Sequence, residues 1–98
     1  MGHLQNEGTD RLFRVLLKLT NLEDCYDLFE DLCTIKELQD MAQRLEVAFL
    51  LDEGKKYQEI MDRTSVSSAT ISRINKCLLY GSGGYRRAID REKAGEQA

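Results

Sequence analysis

Residues 57–77 read YQEIMDRTSVSSATISRINKC, and their spacing decides the fold. The pattern predicts two short helices joined by a tight turn. Ile60 and Met61 share one side of the first helix, Thr64 and Ser65 stand where the chain bends, and Val66 is the apolar residue that such a bend buries. Ser67 or Ser68 then caps a second helix, because a serine oxygen accepts a hydrogen bond from an unpaired first-turn amide, worth about 1 kcal/mol. Ile71, Ile74 and Leu78 follow at spacings of three and four and so share a face that buries against the first helix. At about 100° per residue, the positions furthest from that stripe are Ala69, Ser72, Arg73 and Lys76, with no acid among them. Such a face can enter a DNA major groove, and 57–77 is expected to be a helix-turn-helix.

Upstream, Thr34–Glu37 (TIKE) is a capping box that launches the longest helix, running to Asp52 or Glu53 before Gly54 stops it in a left-handed cap. Leu38, Met41, Ala42, Leu45, Ala48 and Phe49 hold its period. Val47, Leu50 and Leu51 add apolar surface around the rest, so its second half is expected to be a buried central strut. Two further helices precede it. One starts at Thr9 as N-cap, with Leu12, Val15, Leu16 and Leu19 on one face and Phe13 and Leu17 widening it. The other starts at Asn21, with Leu22, Cys25, Tyr26, Phe29, Leu32 and Cys33 as its stripe and Glu23, Asp27, Glu30 and Asp31 facing water. Downstream, Gly81, Gly83 and Gly84 break the chain. A glycine cluster can cradle phosphate, but this one lacks the lysine and hydroxyl of a P-loop and follows no strand, so it reads as a helix stop and hinge. Tyr85 to Lys93 returns to helix.

The chain has 98 residues, 42% of them hydrophobic, and no proline, so it is read as one all-α domain over 9–93, with a disordered stretch at 1–8 and a tail at 94–98. No apolar run approaches the roughly 20 residues that span a bilayer. Asn6 stands where a myristoylation motif following Met1-Gly2 needs Ser or Thr, so cytoplasmic residence without a membrane partner is expected. Cys25, Cys33 and Cys77 form no metal-binding or CxxC spacing and are expected to be buried small hydrophobes. His3, the single histidine, lies in the aperiodic terminus and is not a catalytic candidate. No paired carboxylate, Cys/His or Ser/His constellation suggests a catalytic site, and neither a metal nor a cofactor is expected.

The formal charge is −3, but its distribution matters more than its sum. Residues 1–53 carry 5 basic and 12 acidic side chains, whereas 54–98 carry 9 basic and 5 acidic. A basic half containing the two-helix segment is the asymmetry expected where one end meets phosphate. Three helices with broad apolar faces in so short a chain also point to a homodimer.

The segment TIKELQDMAQRLEVAFLLDEGKKYQEIMDRTSVSSATISRIN, together with the following GSGGYRRAID, resembles the tryptophan repressor superfamily, and more closely its YerC/YecD-type branch of bacterial proteins. The similarity covers about Leu28 to Ile89. It implies an all-helical, intertwined homodimer that presents two recognition helices to successive major grooves of an operator. In the repressor, two arginines flank the indole of the tryptophan corepressor, and Arg44 and Arg73 match them. The next position, glycine in the repressor, is Ile74 here, and this branched side chain argues against tryptophan as the ligand. An unknown small-molecule effector between the arginines stays open, as do ordinary roles: an ion pair to Glu37 or Asp40 for Arg44, a phosphate contact for Arg73. Ser65 replaces the glycine usual at the turn, so either it adopts a left-handed conformation or the turn differs.

Two functions follow. The first is a sequence-specific DNA-binding transcriptional regulator, expected to be a repressor of double-stranded DNA targets. Ser67, Ser68, Ala69, Thr70, Ser72, Arg73 and Lys76 would read bases, and Lys55, Lys56, Arg63, Arg86 and Arg87 would hold phosphate. The second is a helical protein-interaction or adaptor dimer that keeps the motif for packing, with the acidic first half as its surface.

Overall fold

The computed structural model describes residues 4–97; the readings of Met1-Gly2 and His3, and the last residue of the tail, lie outside them. Six helices follow in order: α1 Glu7–Leu16, α2 Leu22–Leu32, α3 Ile35–Asp52, α4 Tyr57–Thr64, α5 Ser68–Tyr80 and α6 Gly84–Gln97. No strand occurs among the described residues, so the all-α expectation holds. The chain divides into two compact units, 1–38 and 39–98, with the division falling inside α3.

In the first unit, the N-cap of α1 lies three residues before the Thr9 expected for that role. Asn6 is the N-cap: its side chain accepts from the Thr9 amide at 2.9 Å, and the Thr9 hydroxyl accepts from the Asn6 amide at 3.2 Å. Asparagine is the stronger capping residue, so Thr9 serves instead as the reciprocal partner one turn in. Glu7 and Gly8, assigned to an irregular stretch, are therefore helical. Asn21 caps α2 as expected, accepting from the Asp24 amide at 2.8 Å. The TIKE box also forms, with Thr34 N–H donating to Glu37 Oε1 at 2.8 Å and Glu37 N–H to Thr34 Oγ1 at 3.0 Å.

The stripe of α2 is shifted from its expected position. Cys25, Leu28, Phe29 and Cys33 are half-buried, while Leu22, Tyr26 and Leu32 are exposed. Neither α1 nor α2 contains a fully buried residue, and Leu17 and Leu22 are 83% and 77% exposed.

The second unit holds the core. Val47, Ala48 and Leu50 of α3 are buried with Ile60 of α4, Ile71 and Ile74 of α5, and Ile89 of α6. Phe49, Leu51, Tyr57, Met61, Val66, Leu78 and Tyr85 pack against this cluster. The second half of α3 is thus the strut the sequence implied, and each fully buried aliphatic side chain contributes about 1.5–3 kcal/mol. Its stripe does not continue inward at Met41, Ala42 and Leu45, which are exposed. Gly54, at φ 82°, closes the helix as expected.

Cys77 is exposed and Cys25 and Cys33 are only half-buried, which corrects the reading of all three as core residues. Cys77 stands one residue before Leu78, about 100° around the helix from the stripe. Gly81 stops α5, its amide donating to the Cys77 carbonyl at 2.8 Å; a Cβ there would collide with that same carbonyl oxygen. Past the hinge, α6 runs to Gln97 and so takes in residues read as tail. Among the described residues, no helix is long and apolar enough to cross a membrane.

Candidate nucleic-acid interface

Three residues, Ser65 to Ser67, separate α4 from α5, and the two helices pack against each other. Ser65 sits in the left-handed region at φ 60°, ψ 20°, the conformation raised by its replacement of glycine. Its amide donates to the Met61 carbonyl at 2.9 Å. The Thr64 hydroxyl donates to the Ile60 carbonyl at 2.7 Å and accepts from the Val66 amide at 3.3 Å. The Thr64 carbonyl in turn accepts from Nε2 of Gln43, on α3, at 2.6 Å. Ser67 is then the N-cap of α5, accepting from the Thr70 amide at 3.2 Å.

This capping geometry starts α5 with its apolar face inward. Ile71 and Ile74 are 0% and 4% exposed, and the opposite side lies open. Of the seven residues expected to read bases, Ser67, Ser68, Ala69, Ser72, Arg73 and Lys76 are exposed together at the start and along the outer side of the helix. Thr70 is different: it is half-buried, and its hydroxyl accepts from Ser67 Oγ at 3.1 Å, which turns it toward the cap. No acid lies in α5, so the open face carries only neutral and positive groups.

The five expected phosphate ligands are less uniform. Lys56 is exposed at the N-cap of α4 and Lys55 beside it is half-buried. Arg87 is exposed on α6. Arg63 pairs with Glu59 one turn back at 3.4 Å, a solvent-exposed contact of little energetic weight. Arg86 is committed elsewhere: its NH2 group bonds Asp52 Oδ1 at 2.6 Å and its Nε reaches Asp90 at 3.3 Å. Lys93 bonds the second oxygen of Asp52. Hydrogen bonds from Lys93 and then Arg86 hold the Asp52 carboxyl below the usual carboxylate range, and the bond to Asp52 raises Arg86 above the usual guanidinium value.

Arg44 and Arg73 are both exposed, on α3 and α5, while Ile74 lies in the core cluster. No group of three or more His, Cys, Asp or Glu side chains that could hold a metal occurs among the described residues. Three residues with no expected role in the site make long-range bonds: Gln43, Asp52 and Lys93. Their partners lie 21, 34 and 41 positions away, and no local pattern announces such pairs.

Residues 7–93 match the family model described as Trp repressor protein. The chain belongs to the Trp repressor protein family. Members similar to it include YerC of Bacillus subtilis (strain 168), called an uncharacterized protein, which is 50% identical over 93 residues, covering 95% of this chain and 89% of that one. Among solved structures, a TrpR-like protein from Eubacterium eligens ATCC 27750 superposes with a TM-score of 0.90 at 42% identity, covering 95% of this chain and 96% of the other. A candidate Trp repressor from Staphylococcus aureus gives 0.88 at 40% identity, covering 93% and 91%. The Trp repressor family is one of DNA-binding regulators.

Proposed function

We propose that the protein is a sequence-specific DNA-binding transcriptional regulator, a repressor, acting as an intertwined homodimer whose α4–turn–α5 unit is a helix-turn-helix. The observation that carries this reading is the open, acid-free side of α5, with Ser68, Ala69, Ser72, Arg73 and Lys76 exposed opposite a buried Ile71 and Ile74. Arg73 and Lys76 are suited to guanine edges and the serines to either base type, each good base contact being worth about 1–3 kcal/mol of discrimination. Ser67 and Thr70 act chiefly by capping the reading helix. Lys55, Lys56 and Arg87 hold phosphate, Arg63 joins them by giving up an exposed partner, and Arg86 serves the fold instead.

The homodimer is supported by α1 and α2, which bury no residue completely and leave Phe13, Leu17, Leu22, Tyr26 and Leu32 open. A second copy covers such faces most simply. Ile74 in place of the repressor's glycine supports regulation without tryptophan, and the chain is assigned no catalytic step.

Selection of bound DNA from a random pool, repeated with and without tryptophan and with a metabolite mixture, tests the proposal. The expected result is one enriched site of two related halves, unaffected by tryptophan, bound ever more weakly as salt rises. A pool that returns no preferred sequence sinks it. The exposed apolar residues of α1 and α2 would then favour an interaction or adaptor dimer, to be established by recovery of a protein partner with DNA binding at background.

A further inference from the structure

The end of α4 leaves carbonyls that no later turn of its own helix can satisfy. The Met61 carbonyl is satisfied from within the segment, by the Ser65 amide, and the Thr64 hydroxyl donates to the Ile60 carbonyl one turn back. The Thr64 carbonyl is satisfied from outside it, by the Gln43 side chain of α3. Immediately after comes Ser65, in a left-handed conformation that non-glycine residues disfavour and that persists where the surroundings over-determine it.

These bonds do different work. Those from Thr64 and Ser65 span four residues or fewer, so they travel with the turn whichever way it pivots. The Gln43 bond refers the turn to α3, whose following turns supply Val47, Ala48 and Leu50 to the core. Together with the packing of Val66 against the core, it ties the turn to α3, whereas the local bonds fix only its shape. We infer that Gln43 is a positioning residue for DNA reading: by holding the Thr64 carbonyl it seats the turn, and with it the start of α5, against α3 and so sets how Arg73 and Lys76 are presented.

This inference rests on the DNA-binding reading and adds to it a residue that acts through the protein's own backbone. Gln43→Met tests it, because methionine matches glutamine in length, carries no donor and leaves the net charge unchanged. Gln43 is exposed, so the variant is expected to fold, with a melting temperature close to the parent's. The ratio of specific to non-specific DNA affinity falls about three- to tenfold, the range of one net hydrogen bond, while non-specific affinity and its response to salt stay as they were. In the free protein, amide exchange at Ser65 and Val66 speeds up.

A variant whose ratio stays within about twofold of a site-selecting parent overturns the inference, whatever amide exchange shows. A parent that selects no site fails at the earlier step, the DNA-binding reading itself, so the two failures are told apart.

Discussion

The Ser65 amide donates to the Met61 carbonyl at 2.9 Å from a backbone at φ 60°, so the residue that closes α4 is a serine in a conformation that suits glycine. Ser65→Gly relieves the clash between Cβ and backbone and is expected to stabilise the fold by about 0.5–1 kcal/mol, after allowance for glycine's extra freedom when unfolded. Ser65→Val, branched at Cβ, is expected to destabilise by about 1–2 kcal/mol. Urea unfolding of the three proteins side by side checks the order; a glycine variant less stable than the parent refutes it.

Asp52, only 14% exposed, receives Arg86 and Lys93 and so joins the last turn of α3 to α6. Its carboxyl titrates lower in the folded protein than in the unfolded chain. The stabilisation is therefore fully present above the ordinary carboxylate range, about pH 4, and fades as pH falls through that range to the lower folded value. Asp52→Asn should lower the melting temperature by a few degrees at neutral pH, and the gap between variant and parent should close in acid. Melting curves across pH 2 to 8 decide it, and a gap that widens in acid contradicts the assignment.

Arg73→Ala and Lys56→Ala separate reading from holding. Loss of Arg73 should cost about 1–3 kcal/mol on the selected site and relax the preference at one position. Loss of Lys56 should weaken binding to every sequence alike. Competition binding against single-position variants of the selected site distinguishes the two patterns, and identical patterns contradict the division of labour.

The open apolar residues of the first unit predict an assembly that one charge can weaken. Leu22→Asp, at a side chain 77% exposed in the single chain, should shift the sedimenting species from two chains toward one. The parent's melting temperature should rise with protein concentration, whereas that of the variant should not. A parent that sediments as a monomer at every concentration removes the homodimer from the proposal.

Much of this molecule can be read along the chain because the relevant forces act over three or four residues. The caps at Asn21, Thr34 and Ser67 belong to that class, as do the buried pair Ile71 and Ile74 and the glycine stops at Gly54 and Gly81. The start of α1 is local as well, since Asn6 competes with Thr9 for the capping role and wins. Leu28 lies three residues after Cys25 and so shares the half-buried face of α2 with it. What could not be read are the meetings of distant residues: Gln43 with Thr64, and Asp52 with Arg86 and Lys93. Periodicity shows that Arg86 lies off the apolar face of its helix, but not that a carboxylate already waits there.

That carboxylate alters the accounting of ions. Each phosphate neutralised by a protein cation releases about 0.9 of a condensed counterion, and this release sets how steeply DNA affinity falls with salt. Residues 54–98 hold 9 basic side chains. Arg86 and Lys93 are already matched with Asp52 within the fold. A slope predicted from sequence charge alone would thus be too steep, because Asp52 is the counterion that Arg86 and Lys93 carry with them and do not release.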